Sequence, residues 1–159
     1  MAALRPDIVI LGSVQTTDFT ATQWVEGTAR VLKVLSTSSG HVYVLRGTPH
    51  LPFDGPSCLA SRSWLPWLRP GQAGCSARVS TPRDDDVYRW LQQASSRFEN
   101  VTALDMNDLV CPNGECRAER HGAIVFRDSQ HMTGTFVESL SPYLAERIHL
   151  PPMRSSPEQ

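Results

Sequence analysis

In "RDSQHMTGTF", Arg127 to Phe136, an aspartate and a histidine stand three residues apart, just after the short apolar run "AIVF". A carboxylate beside an imidazole is two-thirds of a hydrolytic triad: the acid fixes the ring's tautomer, and the ring takes a proton from a hydroxyl. Asp128 and His131 are therefore the candidate orienting acid and general base. The competing reading is helix capping, because an aspartate close to a helix start is favourable without any catalysis. A third group, a nucleophile, has a candidate in Ser13 of "LGSVQ", just past an apolar run that reads as a strand.

The elements around these residues follow from hydrophobic pattern. "DIVIL" (Asp7–Leu11), "HVYVLR" (His41–Arg46), "VTAL" (Val101–Leu104) and "AIVF" (Ala123–Phe126) are apolar runs expected to be strands of one buried, mainly parallel sheet. Between the first two, Trp24, Val25, Ala29, Val31, Leu32 and Leu35 recur at helical spacing up to "SSG". These three elements read as a βαβ unit with a right-handed crossover. "DDDVYRWLQQASSRF" predicts a second helix, with Val87, Trp90, Leu91 and Ala94 on one face. "MTGTFVESLSPYLAERI" is helical in pattern but holds Pro142, so it reads as two helices or one kinked helix. Alternating strands and helices predict a three-layer α/β/α sandwich. In such sheets sites form beyond the carboxyl ends of the strands. Gly12–Ser13, "RGTPH", Asp105, and Asp128 with His131 should thus share one rim.

The stretch Thr48–Pro82 reads as a long loop that is functional or held by disulfides. Four cysteines, all in loop-like segments, point to two disulfides and an oxidising compartment. Cys58 with Cys75 and Cys111 with Cys116 is the preferred pairing, since each pair is adjacent in sequence and closes a turn-rich loop. Free thiols, or zinc with His121 as a further ligand, are the competing readings; no CxxC or HxxxH spacing supports the metal. No metal or cofactor is expected.

Composition excludes other classes. Fifteen basic against 16 acidic residues, a formal charge of −1, leave no footprint for nucleic acid. The one charge run, "RDDD" at Arg83–Asp86, suits the acidic first turn of a helix. No stretch reaches the ~18–20 apolar residues that span a bilayer, and "MAALRPDIVILGS" does not read as a signal peptide. Residues 1–150 are expected to form one domain, and 151–159 a flexible tail.

The order "RPDIVIL … VYVLRGTPHLPFDGPSC … LDMNDLVCPNGEC … IVFRDSQHMTGTF" resembles the C-terminal part of SGNH-type hydrolase domains. The variety it resembles is fused to the membrane acyltransferase family 3 domain in bacterial O-acyltransferases of surface polysaccharides. The resemblance spans about Leu4 to Ile148. It implies that His131 is the base and Asp128 its orienting acid. It further implies an acyl-ester or saccharide substrate, a membrane acyltransferase partner and an extracytoplasmic location. Neither the Gly-Asp-Ser block that carries the family's nucleophile nor its Gly-x-Asn-Asp block, which adds an oxyanion donor, occurs in these residues; "LGSVQ" stands in the place of the second, with Ser13 or Gln15 as weak substitutes. The resemblance matches "LRPDIVIL" to a middle strand, so the N-terminal strand and its serine are expected to lie off this chain, leaving an open strand edge. The alternatives are a non-catalytic glycan- or partner-binding module using Trp64 and Trp67, or a small esterase using Ser13.

Overall fold

A computed structural model describes residues 5–12, 19–64, 74–78 and 82–148. Ser13, Gln15, Trp67 and the tail 151–159 lie outside the described residues.

In chain order the elements are β1 (Ile8–Leu11), α1 (Ala21–Ser38), β2 (His41–Leu45), α2 (Gly55–Trp64), β3 (Ser76–Arg78), α3 (Pro82–Ser95) and β4 (Val101–Leu104). Then follow α4 (Asn107–Val110), a 3-10 turn (Pro112–Gly114), β5 (Glu115–Arg117), β6 (Glu119–Arg120), β7 (Ala123–Ile124), α5 (Gly134–Ser139) and α6 (Ser141–Arg147). The central sheet is parallel, in the order β1-β2-β4, with Ile8 beside His41 and Val42 beside Val101.

β2 is the middle strand, and its Val42, Tyr43 and Val44 are all buried, as a continuous apolar run should be when helices cover a parallel sheet. α1 starts at a capping box. Thr20 Oγ1 accepts the Gln23 N–H at 3.3 Å, and Gln23 Oε1 accepts the Thr20 N–H at 2.9 Å. Its Val25, Ala29 and Leu32 pack with Val42 and Val44 of β2, Val87, Leu91 and Ala94 of α3, and Val101 of β4. Trp24 and Leu35 flank this core, whereas Val31, expected on the buried face, is 47% exposed. The turn from α1 into β2 passes so close to β1 that a Cβ on Gly40 would lie 2.5 Å from the Asp7 carbonyl oxygen, so only glycine fits. On the other face of the sheet the buried Tyr43 hydroxyl donates to the Ile148 carbonyl, just past α6, at 2.6 Å.

β1 is an edge strand, and no described strand pairs with its outer side. Beside it a groove of about 250 Å³ runs between the end of β1 and α1, lined by Leu11, Phe19, Trp24 and Val31 among others. Phe19, which lines the groove, and Ile10 of β1 are each about half exposed.

Two expectations need correction. "AIVF" does not join the parallel sheet: β7 pairs antiparallel with β6 across His121-Gly122, and Phe126 bridges to Met132. Both turn residues have positive φ (51° and 80°), the backbone a two-residue hairpin requires, so a neighbour in sequence supplies the pairing. Val125 and Phe126 are instead buried in a second core with Leu51, Val110, Ala118 and Phe136. The stretch from Thr48 to Pro82 is not all loop, because it contains α2 and β3, and β3 pairs antiparallel with β5. Asp54 starts α2 by accepting the Ser57 N–H at 2.9 Å, a helix signal masked by the proline and glycine around it. Around Pro142 the chain forms two helices, α5 and α6, which meet at Leu140.

The second core is stapled. Cys58 of α2 is bonded to Cys75, and Cys111 to Cys116 of β5, with Cα–Cα distances of 5.9 and 4.2 Å. All four sulfurs are thus disulfides, and none is a thiolate available to zinc.

Candidate active site

The loop that carries Asp128 and His131 is closed at its root by main-chain hydrogen bonds. Thr133 N–H donates to the Val125 carbonyl and Arg127 N–H to the His131 carbonyl, each at 2.9 Å. Val125 and Phe126 are fully buried and anchor the ascending arm. Five residues, Arg127 to His131, are left to make the tip. Within it the Asp128 carboxylate divides its work. Oδ1 accepts two main-chain N–H groups, from Gln130 at 2.8 Å and from His131 at 2.7 Å. Oδ2 faces the His131 ring, 2.7 Å from Nδ1.

Capping of a helix and capping within the loop are distinct here. Asp128 does cap main-chain N–H groups, but those of its own loop. The helix start belongs to Thr133, whose Oγ1 accepts the Phe136 N–H at 3.3 Å. Capping and ring orientation therefore coexist in one carboxylate.

The main-chain N–H groups of His131 and Gln130, followed by the His131 ring, hold the Asp128 carboxyl down at about 2, against an ordinary 3.8. Above that pH the carboxylate is ionised and can only accept, so the hydrogen on the shared edge must sit on Nδ1. In the neutral ring this leaves the Nε2 lone pair free, which is the arrangement a general base needs. The His131 side chain is 53% exposed.

Linkage gives this a sign. Because the folded value lies below the unfolded one, the carboxylate's contribution is complete above about pH 3.8 and is lost as the pH falls through about 2. A carboxyl-carbon NMR titration should place the Asp128 midpoint near 2, with His131 and Gln130 amide shifts moving at the same midpoint. An Asp128 midpoint near 4 would contradict the bonding described.

The loop sits over the carboxyl end of the sheet because the segment after β2 holds it. Thr48 Oγ1 donates to the Gln130 carbonyl at 3.0 Å, and the Leu51 N–H to the Ser129 carbonyl at 2.7 Å. Asp105, past β4, is drawn into another arrangement on the rim. Arg46, past β2, donates to its Oδ2 at 2.8 Å, pairs also with Asp85 of α3 and lies over the Tyr88 ring at 5.1 Å. Asp105 Oδ1 accepts the Asn107 N–H at 2.8 Å, so this carboxylate braces the rim. Gly12 ends β1 and lines the groove beside α1. Thr48 belongs to "RGTPH", expected at the rim, but only the folded chain brings its hydroxyl to Gln130.

Comparison with known proteins follows the same lines. A solved structure, the periplasmic domain of a lipopolysaccharide acetyltransferase from Salmonella ser. Paratyphi A, is similar with a TM-score of 0.67 at 12% identity, over 91% of this chain. The match takes in 57% of that chain, so the present residues span a little over half of its length. A search of curated proteins finds no match. The family model described as "SGNH domain (fused to AT3 domains)" matches residues 2–146, nearly the whole length, and the chain belongs to that family.

Proposed function

We propose that this chain is the acid–base portion of an acyl-transfer domain, in which His131 is the base and Asp128 orients it. The observation that carries the reading is the Asp128 Oδ2–His131 Nδ1 pairing at 2.7 Å on a chain of the SGNH family. In the reaction, Nε2 takes the proton of a serine hydroxyl held at ~2.6–3.2 Å as that oxygen attacks an acyl carbonyl. Asp128 stabilises the imidazolium formed, and the leaving group departs with its proton. A saccharide hydroxyl then gives its proton to Nε2 and attacks the acyl-serine, which regenerates the serine. The family's fusion to AT3 domains supports a membrane acyltransferase as partner. Two disulfides and a periplasmic structural neighbour support an extracytoplasmic location and a surface polysaccharide as acceptor.

The nucleophile in this reading comes from a segment outside these 159 residues, since no Gly-Asp-Ser occurs within them. Residues 1–159 should therefore hydrolyse a p-nitrophenyl ester no faster than the His131→Ala variant. A form extended upstream to include an activated serine should lose at least ~10³-fold in kcat when His131 is replaced. Turnover by residues 1–159 that vanishes in both His131→Ala and Ser13→Ala would sink the reading and make Ser13 the nucleophile.

A further inference from the structure

The internal hydrogen bonds of the Arg127–His131 loop fix its shape but not its place above the sheet. Its place is set by the connection from β2 into α2, and the way the two are bonded is specific. The Gln130 N–H that donates to Asp128 Oδ1 belongs to the same peptide plane as the Ser129 carbonyl, which accepts from the Leu51 N–H at 2.7 Å. The His131 N–H that donates to Asp128 Oδ1 shares its plane with the Gln130 carbonyl, which accepts from Thr48 Oγ1 at 3.0 Å. Both peptides that grip the carboxylate are thus held from behind. A peptide whose carbonyl accepts a hydrogen bond is polarised and donates more strongly through its N–H.

The third contact is steric. Gly55, the first residue of α2, is buried, and a Cβ there would lie 3.2 Å from the Phe126 carbonyl oxygen, 3.3 Å from the Phe126 Cβ and 3.5 Å from the Asp128 carbonyl oxygen. Glycine allows this closeness: a Cβ would require the loop to give way by a few tenths of an ångström. The titratable and charged groups facing Asp128 are the His131 ring, the Arg127 Nε at 3.9 Å from Oδ2, and Asp54 at the start of α2.

We propose that Thr48 and Gly55 are positioning residues of the site: they place the Asp128–His131 pair over the rim by holding the peptide planes and backbone behind it. This rests on His131 and Asp128 being base and orienter. The test is nevertheless spectroscopic, on residues 1–159, so it can fail or succeed whether or not acyl transfer is the reaction.

Thr48→Val keeps the side-chain shape and removes the donor. It should raise the Asp128 carboxyl midpoint by roughly half a pH unit or more, and ring-nitrogen NMR should show less of the Nδ1–H tautomer of His131. Thr48→Ser, which keeps the hydroxyl, should restore both. Gly55→Ala should move the same two signals by displacing the loop, and it stands as an independent variant if Thr48→Val does not fold. A merely structural role would lower the melting temperature and leave both signals unchanged in the folded state. Unmoved signals in the folded variants, or a Thr48→Ser chain that behaves like Thr48→Val, would overturn the proposal.

Discussion

Reduction of both disulfides should lower the stability of the chain by about 5 kcal/mol, from loop closure of ~3 kcal/mol for the Cys58–Cys75 separation of 17 and ~2 kcal/mol for the Cys111–Cys116 separation of 5. Against the ~5–15 kcal/mol typical of a domain, that is a large share. It should also fall unevenly. Cys75, Cys111 and Cys116 are buried in the core that contains Phe126 and Phe136, and β3–β5 pairing lies between the two bridges. The core beneath α1 and α3 contains no cysteine. Thermal melting with and without a strong thiol reductant should therefore differ by about 10–20 °C, at ~2–4 °C per kcal/mol for a chain of this size. Hydrogen exchange should show the amides of β3, β5 and α2 losing protection before those of β2. Melting curves that coincide, or a loss of protection that starts in β2, would contradict this account.

The second large effect is expected at Phe126, which is 0% exposed and the largest of the fully buried side chains among the described residues. Truncation to alanine removes its buried area and leaves a cavity that close-packed neighbours fill only in part, so Phe126→Ala should cost ~3–5 kcal/mol. Its packing partners include Leu51, Val125 and Phe136. These link the segment after β2, the arm of the acid–base loop and α5, so the cavity would open directly beneath Arg127 and Asp128. Urea unfolding should show a lower midpoint with an unchanged slope, and Phe126→Leu should recover most of the loss. A cost under about 1 kcal/mol would mean that the ring is less tightly enclosed than its burial indicates.

The three strands of the sheet could be read from the sequence because each is rich in apolar residues, and β2, whose Val42, Tyr43 and Val44 are all buried, carries the signature of a run covered on both faces. α1 and α3 were legible from spacing, although Val31 shows that an apolar residue at the correct interval can still lie on the flank of a helix. Ala123–Phe126 has the same run-like character but pairs elsewhere. Apolar content predicts burial and is silent about the partner, which here was decided by two positive-φ residues at His121 and Gly122. α2 was missed because "FDGPSC" looks like loop chemistry, although an aspartate three residues before Ser57 is also a helix start. At the site, Asp128 and His131 could be singled out from type and spacing, and the folded chain brings them to 2.7 Å. The support from Thr48 and Leu51 could not, since it joins residues about 80 apart in the chain through peptide planes that any sequence possesses.

Asp128 and His131 lie within one tip that is closed at its base by the Arg127-to-His131 and Thr133-to-Val125 hydrogen bonds. In heritable terms, the pair behaves as a cassette. Many hydrolytic sites recruit acid and base from distant parts of the gene, so that each can be lost or replaced separately. Here a single inserted or deleted codon between positions 128 and 131 would remove both together, and any transfer of the loop to another scaffold would carry both together. What would not travel with it is the ledge of Thr48, Leu51 and Gly55, so a transplanted copy would keep its internal bonds and lose its aim.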